Sequence, residues 1–223
     1  MTNEKPILFS SEMVKAILEG RKTQTRRVIS KRVKNGGEWF TSIPTSFQTP
    51  DRIVKHWPCP YGQVGTQLWV KETHYLFGKW VKNGLTKTGK QKWAFKPIGR
   101  QVKYLDNPPD VVERSKDRVG WFKRPSIFMP RWASRITLEI TDIRVQHLQD
   151  ITDDDAFEEG MTQHLAAMLG LGGEALQSEE EFNFTQTRRV FRNLWDSINA
   201  KRGYGWDMNP WVWVIKFRRV ECE

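Results

Sequence analysis

The chain has 223 residues, of which 38% are hydrophobic, and a formal net charge of +10 at pH 7. This length accommodates one domain with a sizeable insertion, and the positive charge favours an anionic partner, with nucleic acid ahead of acidic small molecules. Two cysteines and four scattered histidines give neither a disulfide framework nor metal-site spacing, so we predict no metal and no cofactor. No apolar run reaches the length of a membrane span and the N-terminus is not a signal peptide, which predicts a cytoplasmic protein without a membrane partner.

An amphipathic pattern over residues 11–19 predicts the first helix, and Gly20 its end. The next segment is basic but contains several threonines, so we expect a strand that presents Lys22 and Thr25 at a fixed place. On a regular strand these two side chains would face opposite sides, and a shared pocket would require a twist or bulge between them. Partial burial and three cationic neighbours would lower the pKa of Lys22 and provide a neutral amine as a base; these neighbours are Arg21, Arg26 and Arg27. The alternative is a solvated basic strand end.

Residues 30–60 have little periodic pattern, and we interpret them as long loops with one short hairpin through Trp39 and Phe40. Residues 67–74 have a two-residue repeat, with Leu68 and Val70 at even positions and Lys71 and Thr73 at odd ones, which predicts a strand. A carboxylate is needed to hold Lys22; Glu159 is the first candidate, and Glu72, at the end of this strand, is the second. Trp69 is a candidate ligand contact, with an ordinary core position as its alternative.

The stretch from Lys79 to Lys103 contains eight lysines and arginines and no acid. Aromatic residues alternate with these cations, a combination that suits a nucleic-acid groove because cations bind phosphates and flat rings stack on bases. The candidate contacts in this stretch are Lys79, Trp80, Lys92 and Trp93, and those in the earlier basic segment are Arg21, Arg26 and Arg27. Asn83 and Gly84 predict the turn of a basic hairpin. The alternative is a solvated hairpin whose lysines block edge pairing and whose tryptophans pack against the protein.

The second half predicts further sheet and helix. Apolar and polar residues alternate strictly over residues 135–141, which predicts a strand. The apolar residues change from even to odd positions at Ile143, which predicts a bulge or bend near residues 141–142. Thr152 is the predicted N-cap of a short acidic helix that contains Glu159 and ends at Gly160. Residues 187–200 predict an amphipathic helix, and residues 211–219 a closing strand. The predicted class is α+β: a mixed, mostly antiparallel β-barrel with flanking helices.

Five segments, in the expected order along the chain, resemble the ASCH superfamily of small β-barrels, which are similar to PUA RNA-binding domains. They are Pro6–Ser10, the Gly20-x-Lys22-x-x-x-x-Arg27 signature, Gly65–Glu72, Ala156–Gly160 and Pro210–Phe217. Thr66 and Lys71 depart from the third of these patterns. The chain resembles the longer ASCH proteins of phages and prophages. The resemblance implies a single PUA/ASCH-like domain over residues 1–223, with insertions at about 30–62 and 77–130, and a phage protein would act in the bacterial host cell.

A branch of the superfamily, the small acetylcytidine amidohydrolases, is similar around the Gly20 signature. By position, its catalytic trio corresponds to Lys22, Thr25 and Glu159. This resemblance implies hydrolysis of an acyl group from the exocyclic amine of a cytosine nucleoside, with Arg27 facing the ligand or a phosphate. The basic insertion and the Arg26-Arg27 pair depart from that branch, so the implied ligand is either a modified nucleoside or a polynucleotide, RNA ahead of DNA.

Three functions therefore remain open. The first is an ASCH-type protein that binds nucleic acid or a modified nucleobase in a cationic cleft and hydrolyses it with the trio. The second is a non-catalytic RNA- or DNA-binding module. The third is a metal-independent ribonuclease, although the dispersed histidines offer no obvious acid–base pair.

Overall fold

The computed structural model describes residues 4–29, 33–35, 38–40, 49–111, 118–161 and 184–220. The described residues form two compact units. The first comprises those within 1–5, 15–68 and 138–223, and the second comprises 6–14 and those within 69–137. No helix in these ranges combines the length and the apolar character that a membrane crossing requires.

The α-helices of the described chain are α1 (Ser11–Leu18), α2 (Pro50–His56), α3 (Asp153–Glu158) and α4 (Phe184–Asn199). The strands are β1 (Glu4–Leu8), β2 (Gln24–Val28), β3 (Val33–Asn35), β4 (Glu38–Phe40), β5 (Gln67–Lys71), β6 (His74–Leu85), β7 (Gln91–Tyr104), β8 (Val119–Arg124), β9 (Thr137–His147) and β10 (Trp211–Val220). Short 3-10 turns cover Ser126–Phe128, Arg131–Ala133, Leu148–Asp150, Ala200–Arg202 and Trp206–Met208.

The strands form three sheets, with the orders β1-β5-β9-β10-β2, β3-β4 and β7-β6-β8. The class is mixed α+β with mostly antiparallel sheets, as predicted. The prediction of a closed barrel is not met by the described residues, because β1 and β2 lie at the two edges of the five-stranded sheet.

In the first unit, β10 lies between β9 and β2, and consecutive residues of β10 from Val212 to Ile215 are buried on both faces. The amphipathic pattern of α4 buries Val190, Phe191 and Trp195, whereas Ile198, which the same pattern includes, is exposed. The predicted hairpin through Trp39 and Phe40 is confirmed as the β3-β4 pair. Helix α2 was not predicted, because residues 30–60 have little periodic pattern. Pro50 occupies its first turn, where the missing N–H of proline costs nothing.

In the second unit, β6 is the central strand between β7 and β8. The predicted strand 67–74 divides in two: β5 ends at Lys71 and β6 begins at His74. The Asn83-Gly84 turn prediction is wrong. These residues lie within β6, at an irregularity in the pairing, and the chain reverses over Thr86–Lys90 instead. Gly84 adopts a φ of 70°, a backbone conformation that favours glycine, so this irregularity within the strand accounts for the glycine although no turn lies there.

Helix α3 begins as predicted and ends at Glu158, so Glu159, which was predicted to lie within the helix, is its C-cap residue. The Thr152 hydroxyl accepts a hydrogen bond from the Asp155 amide at 3.1 Å, and Gly160 follows the helix with a φ of 83°. A Cβ at Gly160 would lie 3.1 Å from the Cβ of Ala16 and 3.2 Å from that of Lys22. The glycine therefore allows α3 to approach the segment that carries Lys22.

We expect Gly160→Ala to lower the free energy of unfolding by about 2–3 kcal/mol, because the left-handed backbone is strained for alanine and the new methyl group is crowded. Gly203→Ala is the matched control. It has a similar φ of 81° but nothing within 4 Å of the new Cβ, so it should cost only the backbone strain of about 1 kcal/mol. Urea unfolding of both variants measures the difference, and equal losses would contradict the close approach.

Candidate functional site

The candidate site lies in the first unit, where the segment after α1 meets the end of α3. Lys22 and Glu159 form an isolated antiparallel bridge, and the Thr23 amide donates to the Glu158 carbonyl at 2.9 Å. These backbone bonds fix the end of α3 against the start of β2. The side chains of Lys22 and Glu159 consequently meet at a position that the main chain determines.

The Lys22 ammonium is fully buried and donates to Glu159 twice. Its Nζ lies 2.7 Å from Oε2 of the carboxylate and 2.8 Å from the backbone carbonyl oxygen of the same residue. The Lys22 side chain is 0% exposed and that of Glu159 is 3% exposed. Burial lowers the pKa of Lys22 below its ordinary value; the carboxylate of Glu159 opposes this shift, and the charges of Arg27 and Arg26 add to it. This agrees in direction with the sequence-based prediction of a more easily deprotonated amine.

A second buried ion pair adjoins the first. Arg26 donates to Oε1 of Glu159 at 3.2 Å and to Oδ2 of Asp155 at 2.7 Å. Asp155 also accepts hydrogen bonds from Gln24 at 3.1 Å and from Arg144 at 2.7 Å. The Arg26 side chain is 0% exposed. It pairs with two carboxylates inside the protein and does not form the surface contact with nucleic acid that was predicted for it.

Asp155 and Arg144 were not among the predicted site residues. Two features of the sequence point to this cluster. Asp155 on α3 and Glu159, the C-cap residue of α3, are four residues apart and therefore lie on the same side of the helix. Lys22, Gln24 and Arg26 are each two residues apart, so along a strand their side chains share a face. Burial would raise the pKa of Asp155, but the charge of Arg26 and the bonds from Gln24 and Arg144 outweigh it and lower the pKa below its ordinary value.

Thr25 and Arg27 occupy the other parity of β2. The β10-β2 register places Thr25 opposite Ile215 and Arg27 opposite Trp213. Thr25 is buried, and among the hydrogen bonds of the described residues none joins it to Lys22 or Glu159. The guanidinium of Arg27 lies 5.9 Å from the centre of the Tyr61 ring. Burial lowers the pKa of Arg27, with Tyr61 and Glu159 acting in the opposite direction, so Arg27 is electrostatically coupled to the Lys22–Glu159 pair.

The first unit also contains a cavity of about 500 Å³. Its wall includes Lys5, Cys59, Gln63, Ile143 and Trp213. Trp213 is the residue directly opposite Arg27, so the cavity adjoins the strand position that carries the signature arginine. Burial raises the pKa of the Cys59 thiol, which keeps it protonated and makes it a poor nucleophile. The described residues contain no cluster of three or more His, Cys, Asp or Glu that could hold a metal.

The remaining predicted site residues are distributed differently. Arg21 forms an ion pair with Glu19. Glu72 is buried in the second unit, where both carboxylate oxygens accept from Arg135, at 3.0 and 3.1 Å; the carboxylate that meets Lys22 is Glu159. Trp69 is half-buried, with the Lys71 ammonium 5.4 Å from its ring centre.

On the long hairpin, Lys79 and Lys92 are exposed, and Trp80 and Trp93 are half-buried. Trp80 packs edge-on against Phe95 and Phe122, and the Arg124 guanidinium lies 4.9 Å from its ring centre. Trp80 thus belongs to a packed aromatic cluster, which corresponds to the structural alternative rather than to a base-stacking platform.

No family model matches the chain, and no curated protein matches it. Among solved structures, an ASCH domain from Lactobacillus crispatus JV V101 is similar, with a TM-score of 0.40 and 10% sequence identity. The alignment covers 97% of this chain and 79% of that one.

Proposed function

We propose that the chain is an ASCH-type protein that binds nucleic acid or a modified nucleoside and hydrolyses an N-acyl group from cytidine. The observation that carries the proposal is the buried Lys22–Glu159 pair, with Nζ and Oε2 at 2.7 Å. These two residues correspond by position to two members of the amidohydrolase trio, and they come from segments 137 residues apart. The charge of Arg27, the last residue of the signature, acts on Lys22, and that of Glu159 acts on Arg27. The cavity that adjoins the Arg27 position of β2 through Trp213 falls within the size range of small-ligand sites.

In the proposed reaction, Lys22 acts as the base and Glu159 holds and orients it. The lowered pKa of the buried amine makes its neutral form more accessible than that of an exposed lysine. Lys22 takes a proton from the Thr25 hydroxyl, whose oxygen attacks the acyl carbonyl, and returns the proton to the exocyclic nitrogen as the C–N bond breaks, so that the free cytosine amine leaves and the acyl group is held as an ester of Thr25. A water molecule, deprotonated by Lys22, then attacks this ester; the Thr25 oxygen leaves and takes up the proton, and the carboxylic acid is released. The reaction requires that the ligand draw Thr25 into hydrogen-bond reach of the pair.

The test is turnover of N4-acetylcytidine by the purified chain, followed by chromatography of the released cytidine. We expect Lys22→Gln to reduce the rate by about 10²–10⁴, the range for loss of a general base. Thr25→Val, which removes only the hydroxyl, should also abolish turnover and leave the fold intact. Lys15→Gln, at a position 60% exposed on α1, is the control and should retain full activity. A chain without turnover, or a Lys22→Gln variant with normal turnover, would refute the catalytic proposal.

The second candidate is a non-catalytic nucleic-acid-binding module. One observation favours it: β6, β7 and β8 contain two, four and two lysines or arginines respectively, and no Asp or Glu. Here Lys22 would contribute to binding only. Under this function, affinity for RNA would fall steeply with salt concentration while no reaction would occur.

A further inference from the structure

The two faces of the β7-β6-β8 sheet have opposite characters. Residues directly opposite each other in antiparallel strands share a face. One face contains Trp80, Phe95, Phe122 and Arg124, whose rings and guanidinium contact one another. This face is packed.

The other face is cationic. Its members are set by the register: Lys79 lies opposite Lys96, Lys103 and Lys123 both lie opposite Tyr75, and Phe77 lies opposite Trp121. Contacts confirm the shared face, since Phe77 and Trp121 pack edge-on at 5.5 Å and the Lys103 ammonium lies 5.4 Å from the Trp121 ring centre. We call this surface the lysine face; it consists of Phe77, Lys79, Lys96, Lys103, Trp121 and Lys123.

The charges of the lysine face are not compensated within the described chain. None of its four lysines forms a salt bridge with a described residue, and Lys79, Lys96 and Lys123 are exposed. Lys79 and Lys96 are directly opposite each other, an arrangement that destabilises a sheet when both residues have the same charge. Within the described part of the chain, this directly opposed pair of like charges therefore has no acidic partner.

Protection of a sheet edge does not explain this pair. Lysines that prevent edge-to-edge aggregation belong on edge strands. Lys96 lies on the edge strand β7, but Lys79 lies on the central strand β6 and is paired with Val119 of β8 on its other side. A bound polyanion removes the repulsion and gives both lysines a partner.

We infer that the lysine face binds the phosphate backbone of a single-stranded polynucleotide, with Trp121 and Phe77 providing apolar ring surface beside the phosphates. Charge complementarity selects a polyanion, and rings on the same face as the cations favour a single strand, whose bases are free to contact them. The inference deepens the proposed function, on which it rests, by giving the polynucleotide a surface separate from the Lys22–Glu159 pair. It also replaces Trp80 with Trp121 as the ring on the binding side.

The experiment measures the affinity of the full chain for fluorescent 12-nucleotide poly(U) RNA, oligo(dT) DNA and a 12-base-pair RNA duplex, by anisotropy at several salt concentrations. For Lys79→Gln/Lys96→Gln we expect the affinity for single strands to be about ten-fold lower. The slope of the logarithm of affinity against the logarithm of salt concentration should be shallower by about 1.4, since each phosphate contact of a single strand contributes about 0.7 to that slope. Because a repulsive pair is removed, the thermal midpoint without oligonucleotide should be unchanged or higher. Comparison of the affinities for poly(U) and oligo(dT) shows whether the lysine face prefers RNA or DNA.

The control is Lys87→Gln/Lys90→Gln, which removes two exposed lysines from the turn of the same hairpin and should change affinity less than about three-fold. Equal losses in the two double variants, a Lys79→Gln/Lys96→Gln variant that binds like the unaltered chain, or preference for the duplex would overturn the inference. Turnover of N4-acetylcytidine is measured in parallel. If the unaltered chain binds poly(U) as expected but does not turn over N4-acetylcytidine, the proposed hydrolysis is wrong and the inference about the lysine face stands.

Discussion

Replacement of Glu159 by alanine is expected to lower the free energy of unfolding by about 3–5 kcal/mol. The carboxylate lies between two fully buried cations, Lys22 and Arg26, and accepts from them at 2.7 and 3.2 Å. Without it, Lys22 loses its carboxylate partner, and Arg26 loses one of the two carboxylates with which it pairs. A buried cation that loses its partner keeps the cost of leaving water without the compensating attraction. Urea or thermal unfolding followed by circular dichroism measures the loss.

The adjacent residue provides a matched control. Glu158 is also a glutamate at the end of α3, but it pairs with Lys216 at 2.8 Å and both side chains are about one-third exposed. Glu158→Ala should therefore cost no more than about 1 kcal/mol, as is usual for ion pairs in contact with solvent. Similar losses from the two substitutions would show that the Lys22–Glu159–Arg26 cluster is not buried as described.

The second large effect is expected at Asp155. We predict that Asp155→Asn lowers the free energy of unfolding by about 3 kcal/mol at pH 7, because Arg26 and Arg144 lose their shared charged acceptor. The pKa of Asp155 in the folded protein lies below its ordinary value of 3.8, so its contribution to stability is complete above pH 3.8 and is lost as the pH falls through the lower, folded-state pKa. The difference between the variant and the unaltered chain should therefore shrink as the solution is acidified below pH 3.8.

Asp154→Asn is the control for this experiment. Asp154 precedes Asp155 on α3, is exposed, and loses the same charge on substitution. It should cost less than about 1 kcal/mol, the scale of an interaction between an acid and the helix dipole. Unfolding curves at pH 7, 5, 4, 3 and 2 measure the free energy of unfolding of both variants and of the unaltered chain. A loss in Asp155→Asn that does not change with pH would contradict the ion pairs with Arg26 and Arg144.

Local patterns predicted the elements around the site accurately. Thr152 and Gly160 mark the ends of α3 because capping and a left-handed glycine are properties of a few neighbouring residues. The meeting of Lys22 with the end of α3 was predicted from a family resemblance, since no local pattern relates residues 137 positions apart.

The burial of Arg26 could not be predicted from the basic segment by charge alone. Arg21, Arg26 and Arg27 are similar in sequence context, yet Arg21 pairs with Glu19 beside it, while Arg26 is buried between two carboxylates. Alternate residues of β2 face opposite sides of the sheet, so the arginine that is buried is the one on the side that α3 covers. Which side that is depends on the tertiary packing of the helix. The same holds for Trp80, whose partners Phe95 and Phe122 come from two neighbouring strands of the sheet.

The turn of the long hairpin shows a different limit. Asn83-Gly84 is a strong turn dipeptide, but the structure uses its positive φ for an irregularity within β6 and places the reversal at residues 86–90. A left-handed glycine is required in both conformations. Only the register of the paired strands distinguishes them, and register depends on contacts along the whole of β6 and β7.

Lys22 is a buried amine, held by Glu159, and burial lowers its pKa. Nuclear magnetic resonance of the chain labelled with ¹³C and ¹⁵N at lysine, with Lys22 assigned by the signal that Lys22→Gln removes, measures that pKa directly. We expect Lys22 to titrate below its ordinary value of 10.5, and lower still in Glu159→Gln, where the stabilising carboxylate is absent. A Lys22 signal that titrates at or above 10.5 together with the exposed lysines, and is unaffected by the Glu159 substitution, would contradict it.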